Sequence, residues 1–201
     1  AYNISNQITR QVFRLDRLID DMLDNSRINS GKFQIYPEEM NICEIVKDVV
    51  ERVTLQYSNR REGAPIMNYC EKKGQDNFVG MWDKIKIDQV LTNLLTNAIK
   101  YGKNSPIDVV IESKESSVLI SVQDQGLGIS PDNLDKIFNR FHQVTSENGS
   151  ESGLGLGLFI VKQIIKAHKG KIWVESELGK GSTFFVELPM HSEEASEEYN
   201  G

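Results

Sequence analysis

The chain has 201 residues, 39% hydrophobic and 26% charged, with a formal net charge of -6, a composition that supports one packed domain or a domain with an appendage. Part of the acidity is local, in Glu193, Glu194, Glu197 and Glu198, and no basic footprint marks a nucleic-acid surface. Cys43 and Cys70 make neither a disulfide framework nor a zinc pattern and suit a reducing compartment; no apolar run approaches bilayer length and no secretory signal opens the chain, so a soluble, cytoplasmic piece is expected.

From Ile4 to Ser30 there is no Gly or Pro, and Ile8, Val12, Leu15, Ile19 and Met22 step by four and three, the seam of a coiled coil. Arg10, Arg14, Arg17, Asp20, Asp21 and Asp24 mostly fall off that seam, and Gly31 is placed as the helix stop. So narrow a stripe wants a partner helix. Pro37 with Asn41 separates a short extended stretch, Phe33 to Tyr36, from a helix over Ile42 to Gln56. Apolar runs at Pro65 to Cys70 and Phe78 to Trp82 predict strands. Lys84 to Tyr101 is the strongest helix, with Asp83 as N-cap and Ile87, Val90, Leu91, Leu94, Leu95 and Ala98 on one side. Two alternating runs, Ile107 to Glu112 and Val118 to Gln123, read as neighbouring antiparallel strands that end on a glycine turn at Asp124. Pro131 starts a short helix, Thr145 to Ser152 is a polar stretch suited to a flap, and a last helix, Leu154 to His168, precedes strands Ile172 to Glu177 and Thr183 to Leu188. The expected architecture is α+β, an α/β sandwich with a mixed sheet and helices on one face, preceded by a long N-terminal helix. Residues 1–31 read as a helical appendage, 32–189 as the folded domain and 190–201 as an acidic, disordered tail.

Three polar boxes interrupt this pattern in a fixed order. At about 100° per residue Asn93, Asn97 and Lys100 share one helical stripe with Tyr101 at its edge. Amide oxygens suit a hard cation already carried by phosphates, Lys100 adds positive charge, and Tyr101 offers a ring for a base. Asp124 follows a strand and precedes Gly126 and Gly128, a placement that aims one carboxylate at an exocyclic amine and lets backbone approach a ligand. Gly153, Leu154, Gly155, Leu156 and Gly157 open a helix, where free N–H groups receive phosphate. There is no G-x-x-x-x-G-K-[ST] loop, no dinucleotide fingerprint and no protein-kinase motif set.

With the run Ile137-Phe-Asn-Arg-Phe141 between the glycine boxes, the order and spacing resemble the catalytic, ATP-binding domain of sensor histidine kinases, within the wider group of gyrase, the Hsp90 chaperones and MutL. The resemblance covers nearly all of Ile4 to Pro189, with Asp88 to Tyr101 as the N box, Asp124 to Ile129 and Gly153 to Gly157 as the two G boxes, and Ile137 to Phe141 as the F box. It implies a Bergerat-type fold and ATP with Mg²⁺ as ligands. It further implies Asn97 as the metal ligand, Asn93, Lys100 and Tyr101 along the nucleotide, Asp124 on the adenine amine with Gly126 and Gly128 shaping its pocket, Thr183 near adenine, and Arg140 as a phosphate contact. Residues 1–31 are then the second helix of a dimerising, phosphoacceptor hairpin whose first helix is absent. None of His142, His168 and His191 has the acceptor's setting, so no catalytic residue is assigned; His168 reads as compensating a helix dipole. The implied activity is a protein-histidine kinase that moves the ATP γ-phosphoryl group to a histidine outside this chain and then to an aspartate on a response-regulator receiver domain, as a homodimer.

Gyrase and Hsp90 place a glutamate base where this chain has Asn93, so transfer is favoured over hydrolysis. Gln125, Asn139 and Gln143 depart from the family pattern, which leaves open a nucleotide-binding module without transfer activity, or a serine kinase of the same fold.

Overall fold

A computed structural model of the chain describes residues 2–58, 67–72, 78–103, 105–143 and 154–190. The long first helix, α1 (Tyr2–Asn29), ends where expected. Gly31 takes φ +67, Lys32 N–H donates to Arg27 O at 2.9 Å and Gly31 N–H to Ile28 O at 3.2 Å, a Schellman stop that needs a residue without Cβ strain. Along α1, Val12, Leu15, Ile19 and Met22 are all about half exposed or more, so the apolar seam faces outward.

The domain core is a five-stranded sheet of order β2-β4-β5-β7-β6, built from β2 (Met67–Lys72), β4 (Ile107–Ser113), β5 (Ser117–Asp124), β6 (Lys171–Glu177) and β7 (Gly181–Pro189). Only β2 and β4 run parallel; the other pairs are antiparallel, so the sheet is mixed. Strict alternation buries Val118, Ile120 and Val122 of β5 with Phe184, Val186 and Leu188 of β7 against α2 (Ile42–Ser58), α3 (Lys84–Tyr101) and α5 (Gly157–Ala167) on that one face. On the opposite face Trp173 and Phe185, paired across β6 and β7, stack with centroids 5.1 Å apart. A four-residue helix, α4 (Pro131–Leu134), follows the Asp124 turn.

One strand differs from expectation. The extended pairing lies on β1 (Glu38–Asn41), antiparallel to β3 (Val79–Trp82), and not on Phe33 to Tyr36. The polar Glu38 and Glu39 have poor strand propensity, and the partner strand overrides it. Tyr36 is used instead as a backbone donor to Asp83 Oδ2, at 2.9 Å. Behind β3, Trp82 is fully buried and its indole N–H donates to Pro189 O at 2.8 Å, while Met81 N–H donates to Met190 O at 3.0 Å. Met190 is itself 3% exposed, so packing continues one residue beyond Pro189.

Asp83 caps α3 as its sequence position implied, accepting from Lys86 N–H at 3.0 Å. Its own N–H donates to His168 Nε2 at 2.9 Å, and His168 Nδ1 lies 2.8 Å from Ile164 O. A nitrogen that accepts from a backbone N–H must be unprotonated, so His168 is a neutral bridge between the ends of α3 and α5 and not a charged dipole partner. Burial holds its imidazole below the ordinary 6.5, against opposing pulls from Ile164 O and Asp83. Cys43 is buried, which pushes its thiol up to about 11, and Cys70 is exposed; both are free. Among the described residues no helix is long and apolar enough to cross a membrane.

Candidate functional site

The polar stripe of α3 runs from the core to the surface. Asn93 is 2% exposed, Asn97 is half-buried, and Lys100 and Tyr101 lie at the exposed rim. Asn93 Nδ2 donates to Gln89 O at 3.1 Å, and Lys100 Nζ donates to Tyr101 OH at 2.9 Å, resting 4.7 Å from the ring centroid. One helix thus presents an anchored amide, a second amide one turn on, and a cation beside an aromatic ring.

The Asp124 turn closes against the carboxyl end of this helix by backbone contact. A Cβ on Gly126 would lie 2.0 Å from Tyr101 O, and Leu127 N–H donates to that same carbonyl at 3.2 Å. Gly128, at φ +68, would put a Cβ 2.0 Å from Glu177 O. Both glycines are therefore demanded by close approach. Asp124 is 4% exposed, its Oδ1 accepts from Gly126 N–H at 2.8 Å, and Ser182 N–H also donates to it. Burial pushes the carboxyl above its ordinary value while the two backbone donors pull it back.

Sheet register places Thr183 relative to Asp124. Asp124 lies opposite Ser182, whereas Thr183 lies opposite Gln123 on β5 and Glu175 on β6. With a period of two, Ser182 shares the inward face of Phe184, Val186 and Leu188, and Thr183 points to the other face. Ser182, 6% exposed, is the β7 residue opposite Asp124. Its Oγ is 3.0 Å from Ser176 Oγ, which accepts from Ile129 N–H at 2.8 Å and donates to Gly181 O at 2.8 Å. The inward alternation of β7 carried the signal for Ser182; nothing local marked Ser176.

The second glycine segment reaches α3 at Asn93. Gly153 lies outside the described residues, as do the flap at Thr145 to Ser152, the tail and His191. Leu154 to Leu156 precede α5, which starts at Gly157, because Gly155 at φ +67 leaves the helical region. Gly155 O accepts from Phe141 N–H at 2.9 Å, tying this segment to the F box, where Phe141 itself sits at φ +59 with its ring 64% exposed. A Cβ on Gly157 would fall 2.8 Å from Asn93 Oδ1. Leu154 packs against the core and Leu156 is 2% exposed within it, so Leu156 can offer a ligand only its backbone. Arg140 is exposed, with its guanidinium 4.5 Å from the Phe159 ring centroid.

The structure thus brings Asp124, Gly126 and Gly157 to α3, which carries Asn93, Asn97, Lys100 and Tyr101, ties Gly155 to Phe141 and leaves Thr183 on the far sheet face. A family model described as histidine kinase-, DNA gyrase B-, and HSP90-like ATPase matches residues 82–192. The chain is 35% identical over 181 residues to sensor protein SrrB of Staphylococcus aureus, a match covering 88% of this chain and 30% of that protein. The chain therefore spans about a third of the length of the curated relatives it matches. Among solved structures it resembles the catalytic domain of histidine kinase ThkA in a nucleotide-free form, at 29% identity and TM-score 0.61, over 78% of this chain and 97% of that one. It also resembles full-length ShkA in complex with AMPPNP, at 26% identity and TM-score 0.74, over 87% of this chain and 35% of that one.

Proposed function

The chain belongs to the histidine kinase-, DNA gyrase B- and HSP90-like ATPase family, and from that membership we propose that it is the ATP-binding core of a two-component sensor histidine kinase, passing the γ-phosphoryl group to a histidine outside this chain and then to a receiver-domain aspartate. The observation that carries the reading is the convergence on α3 of the Asp124 turn, through Gly126 and Tyr101 O, and of the second glycine segment, through Gly157 and Asn93. The similarity to ThkA and ShkA supports it, the latter solved with an adenine-nucleotide analogue.

The residues present fit such a ligand. Gly126 and Gly157 let the two glycine segments approach α3 closely, at Tyr101 O and at Asn93 Oδ1, and backbone N–H groups at a helix start suit phosphate oxygens. Asp124, held by Gly126 and Ser182, accepts from the adenine exocyclic amine. Tyr101 lies along the base and Lys100 meets the phosphates. No group of three or more His, Cys, Asp or Glu side chains among the described residues is arranged for a metal ion. Mg²⁺ arriving on the phosphates would take the Asn97 amide oxygen as one added ligand and would neutralise charge on the transferring group. Asn93, an amide and not a carboxylate, cannot activate water, so the segment's role is to orient ATP and exclude solvent while an imidazole attacks. The exposed seam of α1 supports dimerisation through that helix in the intact protein.

The test supplies the upstream arm of the hairpin, in trans or as a longer chain, with γ-labelled ATP and Mg²⁺. Acid-labile label on the arm's histidine is the expected result. Nucleotide binding without label would favour the module that binds and does not transfer, a reading that the stacking of Arg140 on Phe159 supports. Label on serine of a partner would favour a serine kinase of this fold.

A further inference from the structure

Outside the pocket, a polar cluster lies where α1 meets the amino end of α3. Asp24 is 4% exposed and Asp21, one turn earlier, 7%, on a helix whose apolar seam is open. The Asp24 carboxylate accepts from Lys86 Nζ at 2.9 and 2.8 Å and from Gln89 Nε2 at 2.9 Å, with Arg27 NH1 3.9 Å away. Lys86 Nζ also lies 5.2 Å from the Phe33 ring centroid, beside a cleft of about 270 Å³ that Arg27, Phe33 and Tyr36 help to line. A buried ion pair contributes little net stability over apolar packing, but it tolerates only one geometry and fails badly when either partner is removed. Such a contact fixes an angle between α1 and the domain.

The same helix turns serve the pocket. Gln89 gives its side-chain amide to Asp24 and its backbone carbonyl to Asn93 Nδ2, and Asn93 Oδ1 in turn abuts Gly157. Lys86, Gln89 and Asn93 follow one another along α3, so a tilt of its amino end moves the buried amide against the glycine segment. We propose that the seating of α1 through Asp24 and the occupancy of the α3 pocket are coupled, each favouring the other. This rests on the nucleotide reading of the pocket. Coupling is reciprocal, so nucleotide must tighten the joint as much as the joint tightens nucleotide.

The whole chain is titrated calorimetrically with ATP and Mg²⁺, and amide exchange is followed in residues 18–29 with and without nucleotide. Nucleotide slows exchange there in the wild type. Asp24→Asn, and Gln89→Leu, which spares the ion pair, each weaken ATP about 5-fold, the lower end of ordinary coupling, and abolish the exchange response. The reversed pair Asp24→Lys with Lys86→Asp recovers at least part of both. Unchanged affinity in both single variants, or exchange in α1 that ignores nucleotide, overturns the coupling while leaving the pocket intact. Absence of binding to the wild type removes the nucleotide reading, and the coupling with it.

Discussion

At the carboxyl end of α3 the packing is backbone on backbone, with Gly126 under Tyr101 O, and the neighbouring glycine turns pack in the same manner, Gly128 under Glu177 O and Gly155 beside Phe141. At the amino end of the same helix it is side chain on side chain, with Asp24, Lys86 and Gln89 meeting across more than sixty residues of chain. Backbone contacts admit almost no alternative residue, whereas a carboxylate–ammonium contact can open and re-form. One end of α3 is therefore a fixed wall and the other a joint.

The sharpest way to break the wall is Gly126→Val, which forces a side chain into Tyr101 O. We expect a loss of about 3 kcal/mol in urea unfolding together with loss of ATP binding by calorimetry. Retained stability would show that the wall yields. Asp124→Asn keeps the shape and removes the charge, so ATP affinity should fall about 10- to 100-fold with the fold intact by circular dichroism. Because its carboxyl is raised by burial, wild-type binding should also weaken with acid starting above the usual carboxylate range, and this dependence should vanish in the variant.

A smaller effect tests the bridge between α3 and α5. His168 has a lowered pKa in the fold, so the unfolded chain binds the proton first and stability falls as pH drops below 6.5. In His168→Gln that part of the slope of Tm between pH 7 and 5 should flatten, at a cost of about 1–2 kcal/mol at pH 7.5. An unaltered slope would mean that the imidazole does not titrate with folding. The smallest effect on the fold is expected on the free side of α1, where Leu15→Asp should change unfolding stability by less than about 0.5 kcal/mol yet reduce self-association in sedimentation. Equal self-association would remove the seam as a dimer surface.

The two ends of α3 were unequally legible. The wall is written in contiguous motifs, so helix, cap and glycine turns follow from local spacing, and the Lys84 to Tyr101 boundaries agree with the structure. The alternation of β7 places Ser182 on the inward face with Phe184, Val186 and Leu188 and Thr183 on the other, a placement that the motif alone does not carry. The β1–β3 pair was missed because Glu38 and Glu39 carry no strand signal and only the partner makes the strand. Asp24 and Lys86 could not be paired from sequence: each looks like an ordinary solvated charge on its own helix, and only docking across a sequence separation of 62 buries them together.

The two tryptophans sit in different surroundings, Trp82 fully buried at the end of β3 with its indole on Pro189 O and Trp173 half-buried and stacked on Phe185. Their emission should differ accordingly, the sealed one blue-shifted and resistant to acrylamide, the stacked one accessible to it. Without any extrinsic dye, quenching thus separates loosening of the C-terminal strand from coverage of the open sheet face.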